Sequence, residues 1–438
     1  MKPATVLTAI ELLMAALTLH AQMPPERAAT LANVRAKINA TMLRLPKYAC
    51  IQTIDRSYFT RVTKRLATPS CAEVSDDLKN GRGTLRLNST DRLRLEVAQG
   101  DGREIHSWPG AGRFETGYID ELVNRGPVAS GSFGGYLLDI FAVDGPQFSF
   151  AGEKMDAGRD ILTYSYVVPL DKSHYRVRTA DGWAVSSYSG TFDIDAATLE
   201  LLRIGVDTPE LPVETTLCYA QSTLEYSRVH IGDGDFLLPR QSQLHLVQRS
   251  AKDSNSVATF TGCREYQAES SVSFDEADAL SAASAADKKA RAPLPEGLQL
   301  TLRLTSAIDS DTAAAGDAVT ATVSHLVRDP KTHATLIPPG AVAHGRISRM
   351  EHAFLPTTQF IIGILWESVT FGSDLVPFTA IPDRSRNVLM AVPAGQLRRR
   401  PIPVGPADAL TFPSVEKRHV IHAGEETSWV TIAPSEAK

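Results

Sequence analysis

The sequence predicts a mainly β, α+β protein: a curved antiparallel sheet or half-barrel with a few helices, followed by a second small β-barrel domain. Three observations carry this. Short runs alternate apolar and polar residues with period two, as in Thr84-Leu85-Arg86-Leu87 and Arg92-Leu93-Arg94-Leu95-Glu96-Val97, the spacing of half-buried strands. Turn residues recur between these runs roughly every ten residues, as expected of a large antiparallel sheet. A low-complexity stretch, SAASAADKKARA at Ser281–Ala292, divides the chain in two.

The chain has 438 residues and a net charge of −5, with 22% charged and 43% hydrophobic residues. This is the balance of an ordinary water-soluble protein. No strongly basic region is present, so nucleic acid is excluded as the main partner. Residues 1–22 read as a secretory signal peptide: Lys2, a mostly apolar run from Val6 to Leu19 interrupted by Glu11, and a small-residue exit at Ala21. The expected location is periplasmic or secreted. No later stretch reaches the ~18 apolar residues of a membrane helix, so no transmembrane segment is expected in the mature chain. Four cysteines, Cys50, Cys71, Cys218 and Cys263, predict two disulfides in an exported protein. Three pairings are open. The short loop favours Cys50–Cys71, which would contribute about 3 kcal/mol, leaving Cys218–Cys263.

The first domain is assigned to residues 23–280. Leu31, Val34, Ile38, Met42 and Leu45 recur at helical steps within Pro24–Leu45, and Pro46 ends that helix. Ala49–Thr60 is a strand, followed by a loop through Cys71. The two alternating runs come next, with one face aliphatic and the other charged. Asp101-Gly102 is a hairpin turn, and Tyr118–Val123 a short helix. The glycine-rich stretch at Ser130–Phe141 reads as a turn capped by Ser132, since it lacks the Lys and Ser/Thr of a phosphate loop. The organising stretch is Trp183–Leu211. Tyr188, Phe192 and Ile194 lie on one strand, Asp195-Ala196-Ala197-Thr198 makes the break, and a second strand follows from Leu199. Gly232-Asp233-Gly234-Asp235 is a further turn.

Residues 281–293 are a linker, and residues 294–434 a module of short strands with a Pro/Arg-rich insertion near 384–414. His344 and His352 are expected on the surface beside a bend. His419 and His422, three apart, would point to opposite faces of a strand. No nucleophile elbow, Cys/His pair or metal-ligand spacing is present. No catalytic residue, metal or cofactor is therefore assigned. Asp193 and Asp195 share a face, and turn capping suffices for Asp195. Aromatics concentrate in the first domain. Tyr188, Phe192 and Ile194, with Tyr136 and Phe141, are the candidate ligand-binding residues on the concave side of the sheet.

Two resemblances bear on these readings. The N-terminal helix, the hairpins DRLRLEVAQGDGREIHSW and the pattern GTFDIDAATLELLRI together resemble the periplasmic lipoprotein-carrier (Lol-type) superfamily. That resemblance implies an incomplete curved barrel, helices over its concave face, and an acyl ligand. LPEGLQLTLRLTSAIDSDTAAAGDAVTATV and IPPGAVAHGRI resemble a small β-rich module of bacterial envelope proteins, similar to conjugative-transfer barrels. Together they imply a non-enzymatic envelope protein that binds an apolar or acyl ligand, with another envelope protein as candidate partner. The alternative is a structural or assembly protein acting through protein–protein contacts.

Overall fold

Helix α1 (Pro25–Arg44) begins on a proline, carries Glu26 in its first turn and Arg44 in its last, and buries Leu31, Val34 and Ile38. These features suit the two ends of the helix dipole and leave one apolar stripe. The computed structural model describes residues 23–62, 69–100, 103–114, 119–123, 126–131, 135–179, 182–208, 211–266, 289–383, 406–414 and 416–433. The signal segment, the Asp101-Gly102 turn, Ser132 and most of both the linker and the insertion lie outside these residues.

The first module contains β1 (Tyr48–Val62), α2 (Cys71–Lys79), β2 (Thr84–Gly100), β3 (Arg103–Ser107), α3 (Ile119–Leu122) and α4 (Gly135–Leu137). The last runs into a wider π-type turn at Leu138–Ala142. After these come β4 (Gln147–Asp156), β5 (Arg159–Val168), β6 (Arg176–Arg178), β7 (Trp183–Val185), β8 (Tyr188–Asp195), β9 (Leu201–Asp207), β10 (Leu217–Ile231), β11 (Gly234–Gln248) and β12 (Lys252–Glu265). Antiparallel pairing runs β4–β5–β8–β9–β10–β11–β12–β1–β2–β3. The short β6–β7 ribbon stands apart. Tyr118–Val123 is helical over Ile119–Leu122, and the loop expected through Cys71 gives way at Cys71 to α2. Its start is fixed by a capping box: Ser70 accepts from the Glu73 N–H, and the Glu73 carboxylate accepts from the Ser70 N–H.

The second module contains β13 (Lys289–Ala290), β14 (Gln299–Leu304), β15 (Ile308–Asp309), β16 (Ala318–Val323), β17 (Val327–Arg328), β18 (Thr335–Ile337), β19 (Val342–Ala353), β20 (Gln359–Phe371), β21 (Asp374–Pro377), β22 (Thr379–Pro382), β23 (Ala409–Pro413), β24 (Val420–Ile421) and β25 (Glu426–Ile432). Pairing runs β14–β16–β19–β20–β21, and β22, continuous in chain with β21, pairs with β25, which returns to β14. This closes a small barrel around Trp366 and Trp429, which meet edge to face at 5.6 Å. Three details differ from the sequence reading. Lys289–Ala290, inside the expected linker, pairs with β21. Ala409–Pro413, inside the expected insertion, pairs with β20. His344 and His352 both lie within β19, where His352 stacks on Phe360 at 4.1 Å. His419 packs over Phe412 at 4.2 Å.

The two modules share a sheet. Ser89–Asp91 of β2 pairs with Glu351–Ala353 of β19. The charged face of β2 is turned toward the second module. Arg94 holds both carboxylate oxygens of Asp317 at 2.5 and 2.6 Å, and the backbones of Arg92 and Arg94 exchange hydrogen bonds with Ala315. Gly316 lies between them at φ +108°. A β-carbon there would sit 2.2 Å from the Arg94 carbonyl oxygen and 2.9 Å from the Trp108 ring. The small residues of Ala313-Ala314-Ala315-Gly316 thus have a packing reason.

The disulfides are Cys50–Cys263 and Cys71–Cys218, which corrects the favoured pairing. Cys50 lies near the start of the 15-residue β1, whose remainder, at about 3.3 Å per residue, carries the chain roughly 40 Å away before Cys71. Cys263, by contrast, lies on the neighbouring strand, where a bulge opposes Cys50 with Gly262 and Cys263.

With Cys71–Cys218 intact, the outer bridge closes an effective loop of 66 residues, the difference between separations of 213 and 147. Replacing Cys50 and Cys263 by Ser is expected to lower stability by up to about 4 kcal/mol on the chain-entropy account, measured by urea unfolding. A second prediction concerns His106 on β3, which is 6% exposed. Burial pushes its imidazole down to about 4, so the folded state holds it neutral. Stability should be complete above the unfolded value near 6.5, and should fall as pH drops toward 4, by about 3 kcal/mol at full protonation. His106→Leu should flatten that part of the pH–stability curve.

Candidate functional site

The five sequence-selected residues come together. Tyr188, Phe192, Ile194 and Phe141 are at most 1% exposed, and Tyr136 packs against the same cluster. Phe192 sits at its centre, edge-on to Phe141 at 5.0 Å and stacked on Tyr164 at 5.4 Å. Tyr136 lies 6.3 Å from Tyr188 and 6.4 Å from Tyr175. Leu31, Val34 and Ile38 of α1 press onto this layer. These rings form a packed core, and none of the five lines the cleft described next. The sheet can pack this closely because Gly190 leaves room for the Gly205 carbonyl, which accepts from the Tyr166 hydroxyl at 2.8 Å.

The cavity lies beside that core. A cleft of about 680 Å³ opens between the C-terminal half of α1, the β8–β9 turn and the tip of the β10–β11 hairpin. Ile38, Met42 and Leu45 supply one wall, Leu137, Leu199 and Leu201 a second, and Phe236, Leu237, Leu238 and Pro239 a third; Tyr48, Gln99, Ala40 and Thr41 also line it, and its charged lining residues are Lys37, Arg44, Glu200, Arg228 and Asp235. The wall at Leu199 depends on the turn before it. The Asp195 carboxylate accepts from the N–H groups of Ala197 and Thr198 at 3.0 and 2.9 Å. These bonds, the Thr198 N–H foremost, hold its carboxyl below the usual range. The turn leaves Leu199 at φ +55°, a left-handed conformation that a bulky side chain adopts only under constraint. Asp193 does not pair with Asp195. It accepts from Lys154 at 2.8 Å and Thr163 at 2.7 Å.

The rim is charged and largely neutralised. Glu200 accepts from Arg228, whose Nε is at 3.1 Å, and lies 3.5 Å from Lys37, which also donates to the Thr198 carbonyl at 2.6 Å. Arg228, then Lys37, holds the Glu200 carboxyl below its ordinary value. This network ties α1 to β9 and β10 across the cleft mouth. Among the described residues no group of three or more His, Cys, Asp or Glu side chains is placed to hold a metal, and no described helix is long and apolar enough to cross a membrane.

The sequence reading assigned the cleft residues to other roles. Ile38, Met42 and Leu45 were expected as core contacts, and Phe236–Leu238 as a plain strand. One signal was present: Phe236-Leu237-Leu238 is an apolar run of three. On a strand this places apolar side chains on both faces, more than one packed face requires.

No family model matches the chain, and no curated protein matches it. Solved structures of similar fold include an outer-membrane lipoprotein-sorting protein domain from Vibrio parahaemolyticus, at 12% identity and TM-score 0.27, covering 58% of this chain and 96% of that one. A LolA-superfamily protein from Nitrosomonas europaea is similar at 6% identity and TM-score 0.27, covering 56% and 98%. The lipoprotein LppX of Mycobacterium tuberculosis follows at 11% identity and TM-score 0.20, covering 55% and 97%. These likenesses fall on the first module, and nothing found supports the resemblance of the second to conjugative-transfer barrels. The fold class, a mainly antiparallel β protein with a curved sheet, rests on the strand pairings above.

Phe192→Ala is expected to cost about 3–5 kcal/mol in urea unfolding, the range for a buried aromatic. A cost below about 1 kcal/mol would show that the aromatic layer is not packed as described.

Proposed function

We propose that this is an exported, non-enzymatic protein that binds an apolar or acyl-chain ligand in the cleft under α1. The observation that carries this reading is the cleft itself. Its volume of about 680 Å³ falls in the range of small-molecule sites, roughly 300–1,000 Å³. Most of its wall residues are aliphatic or aromatic, and Glu200 at its mouth is paired with Arg228 and Lys37. An apolar chain would lose little by leaving water there and would leave no buried charge unpaired. The left-handed Leu199 in the wall is local strain of the kind that collects at binding sites. Two disulfides favour an oxidising compartment, consistent with export. On this reading the ligand lies beside the aromatic core of Tyr188, Phe192, Ile194, Tyr136 and Phe141 and not among those rings.

Native mass spectrometry of the purified protein is expected to show a co-purifying lipid or, after delipidation, uptake of a 16-carbon fatty acid. Leu237→Trp, which pushes an indole into the cleft, should weaken that uptake at least tenfold while leaving the unfolding midpoint near wild type. Undiminished uptake by the folded variant, or an apo mass that takes up no lipid, rules out this site.

A further inference from the structure

The β6–β7 ribbon pairs with no strand of the large sheet among the described residues. Its register sets Arg176 opposite Val185, Val177 opposite Ala184, and Arg178 opposite Trp183. Period-two alternation therefore gives it two different faces. Val177 is buried and Ala184 half-buried on the inner face, while Arg176, Arg178, Trp183 and Val185 are all exposed on the outer one. Trp183 is 43% exposed. The guanidinium carbons of Arg178 and Arg176 lie 5.0 and 5.8 Å from the centre of its ring. The preceding turn adds Leu170, 59% exposed, and Lys172 beside Asp171. That turn is pinned to the ribbon's base because the Ser173 hydroxyl donates to the Ser186 carbonyl at 2.6 Å.

An exposed indole stacked under two guanidinium groups, with Val185 on the same face, suits one environment. An indole settles where hydrocarbon meets headgroups, and cations on the same face are drawn to anionic headgroups. We propose that the outer face of the β6–β7 ribbon is a docking surface for an anionic lipid bilayer. Tyr175, immediately before β6, stacks on Tyr136 of the aromatic core, which anchors the ribbon's base. The proposal stands on the ribbon's own residues and does not depend on what the cleft holds.

The test is co-sedimentation of the purified protein with vesicles containing phosphatidylglycerol and with vesicles of phosphatidylcholine alone. Binding is expected to the first and not the second, and to weaken as salt rises. Arg176→Gln with Arg178→Gln should weaken binding to the anionic vesicles roughly thirtyfold. Trp183→Phe should retain binding but lose the blue shift of tryptophan emission seen with wild type, since Trp366 and Trp429 are fully buried and Trp108 is half-buried against Gly316 and Arg346. Both variants change exposed side chains, and circular dichroism with an unchanged melting temperature confirms that they fold. Equal binding to the two vesicle types, wild-type binding by the double arginine variant, no binding at all, or a blue shift that persists in Trp183→Phe would each overturn the proposal.

Discussion

A strand has two edges, and β2 must serve three neighbours with them. One edge is taken along its length by β1. The other is divided: Glu96–Gly100 pairs with β3, while Ser89–Asp91 pairs with β19 of the second module. The rest of the structure depends on this division. It joins the curved sheet to the barrel without a flexible hinge at that point, and it fixes which face of β2 is dry. Leu93, Leu95 and Val97 go to the core of the first module. Arg92 and Arg94, on the other parity, meet Asp55 and Asp317. Pairing β2 with β19 also sets Asp91 opposite Glu351. Two carboxylates facing each other would repel, so each has its own arginine: Arg56 binds Asp91 through two bonds of 2.7 Å, and Arg349 binds Glu351. Burial still raises the Asp91 carboxyl above its ordinary value.

Within the first module, the concave side of the sheet is divided between packing and space. Leu31, Val34 and Ile38 of α1 meet the large rings. From Lys37 onward the same helix also borders the cleft, together with the β8–β9 turn and the β10–β11 hairpin. Glu200, bridging Arg228 and Lys37, ties that part of the helix to β9 and β10.

Much of the fold was legible. The helix from Pro25, the alternating strands, and the turns at Asp195 and Gly232 all follow from local pattern, because each is set by residues within a few positions of one another. Helix α2 carries a local signal too, the Ser70–Glu73 capping box, which the sequence reading did not use. The candidate site was less so. Large aromatics mark what is buried, and burial by itself does not distinguish a packed floor from a lined cavity. Tyr188 and Phe192 were found as neighbours for that reason, while Met42, Leu199 and Leu237 were read as ordinary core or strand.

By itself, the sequence determined the period of each element, the sides that turn away from water, and an even number of cysteines suited to disulfides. Only the tertiary structure decided what those sides meet. Cys50 pairs with Cys263 because β12 returns beside β1, not because of any spacing in the chain. The arginines of β2 face a second module instead of solvent because β19 takes half of an open edge. The cleft lies next to the aromatic layer because α1, the β8–β9 turn and the β10–β11 hairpin, far apart in sequence, meet there. In each case the deciding partner lies far away in sequence, and local periodicity carries no information about which distant surface closes on which.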